Sequence, residues 1–197
     1  MAGADISQFE QLRPGDERYN HATDGAFGAI AGIDKPVLAA IHGFCIGGGL
    51  AIAMAADLRY AADDARFGLP PAKLGVGYSA AGTGDLVDLV GPAVAKEILF
   101  TGDHYDAATA LRWGLVNHVE IKAGLDAMVI ERATAIASRA PLSQRAAKLA
   151  VADHLRDAST ARPAEVEAAI AACAASQDYG EGVRAFLDKR APVFQGR

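Results

Sequence analysis

The sequence predicts an α/β fold whose C-terminal part is helical, on three observations. A continuous apolar run of strand length, Val37–Ile41, lies between Pro36 and Gly43 and leads into a glycine triplet. Strand-like runs are concentrated early in the chain and helix-like spacings late, with no repeat, low-complexity linker or second composition regime. Hydrophobic residues make up 51% of the 197 positions but aromatics only 7%, so small side chains, alanine above all, dominate the apolar content. That composition suits close helix packing better than a large aromatic-lined barrel. The length fits one domain, or one domain with a small appendage.

Each element has a local reason. Residues 1–34 open on a small-residue turn and then read as helix, with Phe9, Leu12, Phe27 and Ile30 as apolar contacts and Arg13-Pro14-Gly15-Asp16 as an interruption. Pro36 starts a strand over Val37–Ile41, and Gly43 ends it. Leu50–Ala56 reads as a short buried helix, and Leu58–Ala61 alternates as a strand does. Arg66–Ser79, with Pro70-Pro71, Gly68, Gly75 and Gly77, reads as an irregular loop of the kind that carries function on a rigid scaffold. Asp106 is placed to cap a helix over Ala107–Trp113 that Gly114 stops, and Val116–Val119 reads as a short strand. Leu125–Arg139 has helical apolar spacing, and Pro141 and Pro163 suit the first turns of two further helices. Asp178-x-x-Glu181 has the form of a capping box for a last helix running through Phe186 to Lys189.

Composition also excludes classes of function. The formal net charge of −5 argues against nucleic acid as a partner, because phosphate binding needs a basic surface. Cys45 and Cys173 cannot build a disulfide framework, no metal-type spacing is present, and a reducing, cytoplasmic setting is expected. No charged residue falls between Lys35 and Asp57, a run long enough to span a bilayer that includes the Gly43-x-x-x-Gly47 spacing of a membrane dimer face. Pro36, His42 and the glycine triplet favour a strand, a turn and a buried helix instead, so no membrane span is expected. The opening Met1–Ile6 has no basic stretch followed by an apolar run, so no signal peptide is expected either.

Chemistry is concentrated around Ile41–Ala51. A buried strand there enters a glycine turn and then a helix N-terminus, whose N–H groups and dipole stabilise negative charge. The glycines serve either an anion or oxyanion site, or tight helix–strand packing alone. Two other patterns fail on context. Gly75-x-Gly77-x-x-Ala80 follows no good strand and lacks the acidic residue that a dinucleotide fingerprint needs, and Gly77-x-Ser79-x-Ala81 lacks the preceding strand of a nucleophile elbow. Cys45 reads as a small buried side chain.

With these residues the chain resembles the crotonase superfamily, the enoyl-CoA hydratase/isomerase relatives. The resemblance is carried by Lys35-Pro36-Val37-x-Ala39-Ala40-Ile41-x-Gly43, the glycine triplet, Ala55-Ala56-Asp57, Phe67-Gly68, Leu74-Gly75-Val76 and Gly82-Thr83. It continues through Thr101-Gly102, Ala107 with Ala110, Gly114-Leu115-Val116 and the tail Asp178-Tyr179-x-Glu181-Gly182-x-x-Ala185-Phe186-x-x-Lys189-Arg190. It implies a crotonase-like ββα spiral core over residues 1–120, N-terminally shortened because the family's opening strands are not in this sequence, and a helical trimerisation region over residues 121–197. It also implies an acyl-CoA thioester as substrate, with coenzyme A part of that substrate and no separate cofactor or metal, in the chemistry of fatty acid metabolism. A homotrimer or hexamer is the implied assembly.

The family's shared device is a pair of backbone N–H groups holding the thioester oxygen as it becomes an enolate. The resemblance assigns these to Gly48 and to Ala4, with Gly47, Ile6, Leu69, Val76 and Ser79 lining the substrate and Phe186 and Lys189 reaching CoA from a neighbouring subunit's tail. Lys189 would meet phosphate as a point charge.

Family hydratases supply two glutamates where this chain has Ala51 and Pro71, neither of which transfers a proton; Asp57 and Lys73 are nearest in sequence but do not occupy those positions. Dienoyl-CoA isomerases carry an aspartate where this chain has Ser79. The site loop, Leu74-Gly75-Val76-Gly77-Tyr78-Ser79, resembles the methylmalonyl-CoA decarboxylase branch, which has a tyrosine at the Tyr78 position, though a histidine beside the first oxyanion donor where this chain has Ala4. The resemblance therefore implies decarboxylation of a malonyl-type thioester, with Tyr78 orienting the departing carboxylate; the alternative for Tyr78 is a loop tyrosine that packs its ring. Hydratase, isomerase or thioesterase activity through another acid–base pair, and a non-catalytic CoA-thioester binder, remain the alternatives.

Overall fold

The structure, a computed structural model, describes residues 25–156 and 158–197. The described residues divide into two compact units: 25–33 with Val37–Val129, and Ile130–Arg197 with Asp34–Pro36. In the first unit, residues 25–31 are helical (α1), and Phe27 and Ile30 are half-buried. Phe9 and Leu12 lie outside the described residues.

The first unit then alternates paired strands with helices: β1 (Leu38–Ile41), β2 (Phe44–Ile46), α2 (Gly48–Met54), β3 (Leu58–Ala62), β4 (Arg66–Gly68), α3 (Pro71–Leu74), α4 (Ala80–Thr101), β5 (Tyr105–Asp106), α5 (Ala107–Arg112) and β6 (His118–Glu120). Among the described residues these strands form two three-stranded sheets, ordered β1-β3-β6 and β2-β4-β5. Each successive strand pair sends one member to each sheet, which is the expected ββα spiral. All pairs are parallel except β4 with β5.

Asp57 sets the first register. Its Oδ2 accepts the Val37 N–H at 2.7 Å, while the Asp57 and Leu58 N–H groups both donate to the Val37 carbonyl. That clamp aligns Leu38 with Leu58 and Ile41 with Ala61. Along β3 the side chains then alternate. Ala61 enters the main core with Ile41, Leu50, Phe67, Leu69 and Leu86, whereas Tyr60 and Ala62 join Leu125, Leu38 and Met128 in a second cluster.

Three local expectations are corrected. Phe44–Ile46 and Arg66–Gly68, read from sequence as turn and loop, are strands of three residues each. They are held by the pairings Cys45 to Phe67 and Ile46 to Gly68 and by burial of those side chains, not by any pattern long enough to recognise. Gly68 is required there, because an added Cβ would lie 2.7 Å from the Asp103 carbonyl oxygen. The strand expected at Val116–Val119 is shifted to His118–Glu120, because the Leu115 and Val116 N–H groups both close α5 on the Ala110 carbonyl. Elsewhere α5 matches expectation: Asp106 accepts the Thr109 N–H at 2.8 Å and Gly114 turns the chain at φ 76°. The long α4 breaks at Gly91 (φ 76°, ψ 164°), just before Pro92. The uncharged run after Lys35 is divided among β1, β2 and α2, and no described helix is long and apolar enough to cross a membrane.

The unit boundary falls within α6 (Leu125–Ala137). The second unit holds α7 (Pro141–His154), α8 (Pro163–Ala175) and α9 (Gln177–Leu187), with Pro141 and Pro163 in first turns as expected. The capping box is not formed. Ser176 caps α9 by accepting the Tyr179 N–H, which leaves Asp178 and Glu181 to hold the tail. Buried Asp178 accepts the Gln195 and Gly196 N–H groups at 2.7 Å each; Glu181 accepts the Val193 N–H and a bidentate pair from Arg190 at 2.6 and 3.0 Å.

Candidate active site

The strand β2 ends at a turn that only glycine makes without strain. Gly47 has φ 56° and ψ −122°, and its N–H donates to the Gly68 carbonyl at 2.9 Å, tying the turn to the end of β4. The first helical bond of α2 runs from the Ala51 N–H to the Gly47 carbonyl at 3.1 Å. The N–H groups of Gly48, Gly49 and Leu50 therefore precede the helical ladder, at the positive end of the helix dipole. Leu50 is fully buried beneath them. Cys45, just upstream, is buried, and burial pushes its thiol up to about 11, as suits an inert side chain.

The β2–β4 pairing brings the next segment to this turn. Leu69 follows Gly68 and is fully buried in the main core. Pro71 starts α3, and Gly75 closes it in the left-handed conformation, with φ 66°. The Val76 N–H donates to the Pro71 carbonyl at 3.1 Å, and Val76 is half-buried. Tyr78 is half-buried and packs on the same core cluster as Leu50 and Leu69. Ser79 caps α4: its Oγ accepts the Gly82 N–H at 3.1 Å and its carbonyl accepts from the Thr83 N–H and hydroxyl. A coil segment, not a strand, precedes Ser79, so the nucleophile-elbow geometry is absent, and the Gly75-x-Gly77 segment likewise joins two helices instead of leaving a strand.

The first unit holds Gly47, Gly48, Leu69, Val76, Tyr78 and Ser79; it ties Gly47 to Gly68 and packs Tyr78 on the core cluster of Leu50 and Leu69, but Leu69, expected to line the substrate, is instead fully buried in that core. Phe186 and Lys189 belong to the second unit, where Phe186 is 84% exposed and Lys189 follows α9 at φ 54°. Ala4 and Ile6 lie outside the described residues. No group of three or more metal-binding side chains occurs among the described residues.

Ala51, half-buried in α2, and Pro71 offer no ionisable group. The two charged residues nearest in sequence to those positions are committed elsewhere, Asp57 to the Val37 N–H and Lys73 to Asp103 at 2.8 Å. His42 pairs with Asp126 at 2.9 Å on the exposed end of β1.

Sequence reasoning missed Arg59. It is 4% exposed in β3, donating Nε to the Leu115 carbonyl at 2.9 Å and Nη1 to the Ala56 carbonyl at 2.6 Å, beyond the C-terminal ends of α5 and α2. Burial pulls the guanidinium down and the Asp57 carboxylate partly opposes it. An arginine in an alternating strand reads as solvent-facing, so only the three-dimensional meeting of two helix ends reveals its role as an anchor.

The sequence model described as Enoyl-CoA hydratase/isomerase matches residues 1–197. Crotonyl-CoA hydratase of Syntrophomonas wolfei is 39% identical over 98% of this chain and 75% of its own length. Carnitinyl-CoA dehydratase of Citrobacter koseri is 35% identical over 100% of this chain and 77% of its own length. The crystal structure of an enoyl-CoA hydratase/carnithine racemase from Magnetospirillum magneticum superposes with a TM-score of 0.89 at 36% identity, covering 99% of this chain and 73% of that one.

Proposed function

We propose a reaction for this chain, which belongs to the enoyl-CoA hydratase/isomerase family and acts on acyl-CoA thioesters: decarboxylation of a malonyl-type CoA thioester. The bond between the α-carbon and the carboxylate breaks, carbon dioxide leaves, and the electron pair moves into the thioester carbonyl to form an enolate. The Gly48 N–H, with the Ala4 N–H as its partner, holds that oxyanion, and the α-carbon then takes a proton from solvent. A preorganised donor of this kind is worth about 3–4 kcal/mol of barrier.

The observation that carries the reading is the pair Ala51 and Pro71. Hydration needs a positioned acid and base, and losing one such group lowers the rate by ~10²–10⁴-fold. Decarboxylation generates its own carbanion and needs no base. Tyr78 hydrogen-bonds the departing carboxylate and orients it. Phe186 and Lys189 extend the site towards CoA from a neighbouring copy in a homotrimer or hexamer.

A second reading, hydration or isomerisation of an enoyl thioester, is favoured by the names of the relatives, a crotonyl-CoA hydratase and a carnitinyl-CoA dehydratase. One experiment separates the two. The purified protein is incubated with enoyl-, malonyl- and saturated acyl-CoA thioesters and the product masses are read. Loss of carbon dioxide from a malonyl-type member, without gain of water on the enoyl members, is the expected result. Gain of water selects the second reading, and thioester binding without turnover leaves a non-catalytic CoA-thioester binder.

A further inference from the structure

Tyr78 stands directly before the cap of α4, and Gly82 lies in that helix's first turn. A Cβ added at Gly82 would fall 2.9 Å from Tyr78 Cε1, 3.1 Å from Cζ, the carbon that bears the hydroxyl, and 3.1 Å from the Ser79 Oγ that caps the helix. Carbon atoms ordinarily approach to about 3.5–4.0 Å. The hydroxyl-bearing edge of the ring therefore rests where any side chain at position 82 would stand. The turn beneath is fixed by the Ser79 cap, which also borders this space, and by the two Thr83 bonds to the Ser79 carbonyl. The ring also packs on the main core.

We propose that Gly82 is a positioning residue: its missing side chain seats the Tyr78 ring and so sets where the phenol meets the carboxylate of a malonyl-type thioester. This rests on the decarboxylation reading and goes beyond it by naming what holds Tyr78. Gly84 supplies the control. It lies in the same helix, and an added Cβ there meets nothing within 4 Å.

The test measures kcat and KM for decarboxylation of a malonyl-type thioester, with circular dichroism and thermal midpoint, in the parent, Gly82→Ala, Gly84→Ala, Tyr78→Phe and Tyr78→Phe/Gly82→Ala. A displacement approaching 1 Å at a reacting group lowers rates by up to ~10²-fold. Gly82→Ala is expected to lower kcat by roughly 10–100-fold with little change in KM, and Gly84→Ala to stay within about twofold of the parent. On the Tyr78→Phe background, Gly82→Ala is expected to have no further effect beyond about twofold. Equal kcat for the two alanine variants, or an undiminished Gly82→Ala effect without the hydroxyl, overturns the positioning role while leaving decarboxylation standing. No carbon dioxide release by the parent overturns the decarboxylation reading and this inference with it, whereas full activity of Tyr78→Phe overturns the role of the Tyr78 hydroxyl and this inference while leaving decarboxylation standing. Should Gly82→Ala fail to fold, Tyr78→Leu/Gly82→Ala and Ser79→Ala/Gly82→Ala separate the two neighbours: restoration of the midpoint by the first is expected, and restoration by the second alone, or by neither, overturns the seating of the ring.

Discussion

Two residues that turn the chain with positive φ contrast in kind. Gly47, at φ 56° and ψ −122°, occupies a conformation open to glycine and strained for every other residue. Gly47→Ala is expected to lower unfolding free energy by about 1–3 kcal/mol in urea titration and to abolish turnover, because the strain is relieved by rotating the peptide that presents the Gly48 N–H. Lys189 turns at φ 54° without glycine's freedom. Lys189→Gly is therefore expected to raise unfolding free energy by about 1 kcal/mol while weakening CoA-thioester affinity in calorimetry. A gain in stability with unchanged affinity would overturn the proposed contact of Lys189 with phosphate.

At the scale of elements, the last helix and its tail form one acid-sensitive device. Hydrogen bonds from Arg190, then the Val193 N–H, hold the Glu181 carboxyl at about 2, against an ordinary value of 4.5. A carboxyl depressed in the folded state stabilises it fully above its unfolded value and ceases to do so as pH falls through its folded one. Protection of the Val193 amide from hydrogen exchange is thus expected to be constant above about pH 4.5 and to decline towards pH 2. Glu181→Gln should flatten that dependence, and a pH profile unchanged by it would assign the tail's anchoring to Asp178 alone. The sequence pattern Asp178-x-x-Glu181 was legible as significant but not in this role, because a capping box and a tail clamp use the same residue types and differ only in where the distant partner lies. The same limit explains β2 and β4, whose three residues become strands only through pairing Cys45 with Phe67, more than twenty positions away. Caps and stops that act within a few residues were legible: Asp106, Gly114, Pro141 and Pro163 each sit where local chemistry put them. The glycine turn and the absence of carboxylates at Ala51 and Pro71 were equally readable, whereas the commitment of Asp57 to the β1–β3 register and the burial of Arg59 required the fold.

For the whole molecule, the net charge of −5 opposes close approach of copies at long range, while the second unit carries exposed apolar surface that favours burial at contact. Along α9, Tyr179, Val183, Phe186 and Leu187 recur at helical spacing and are all exposed, Leu187 to 72%. Together with Ile170 of α8 and Phe194 of the tail they line an open groove of about 600 Å³. A contiguous apolar stripe of this kind on an otherwise acidic chain marks an interaction surface. If it is buried between copies, size-exclusion chromatography with light scattering gives a mass above 20.4 kDa, and raising salt does not dissociate the assembly, because screening weakens repulsion between like-charged copies and leaves apolar burial intact. Phe186→Asp/Leu187→Asp would then return the mass to a single copy with helicity retained, since both side chains already face solvent in the single chain. It would also lower turnover if CoA is met by a neighbouring copy's tail. A parent that runs as a single copy at tens of micromolar would rule out self-association and leave the α9 stripe for a different protein partner.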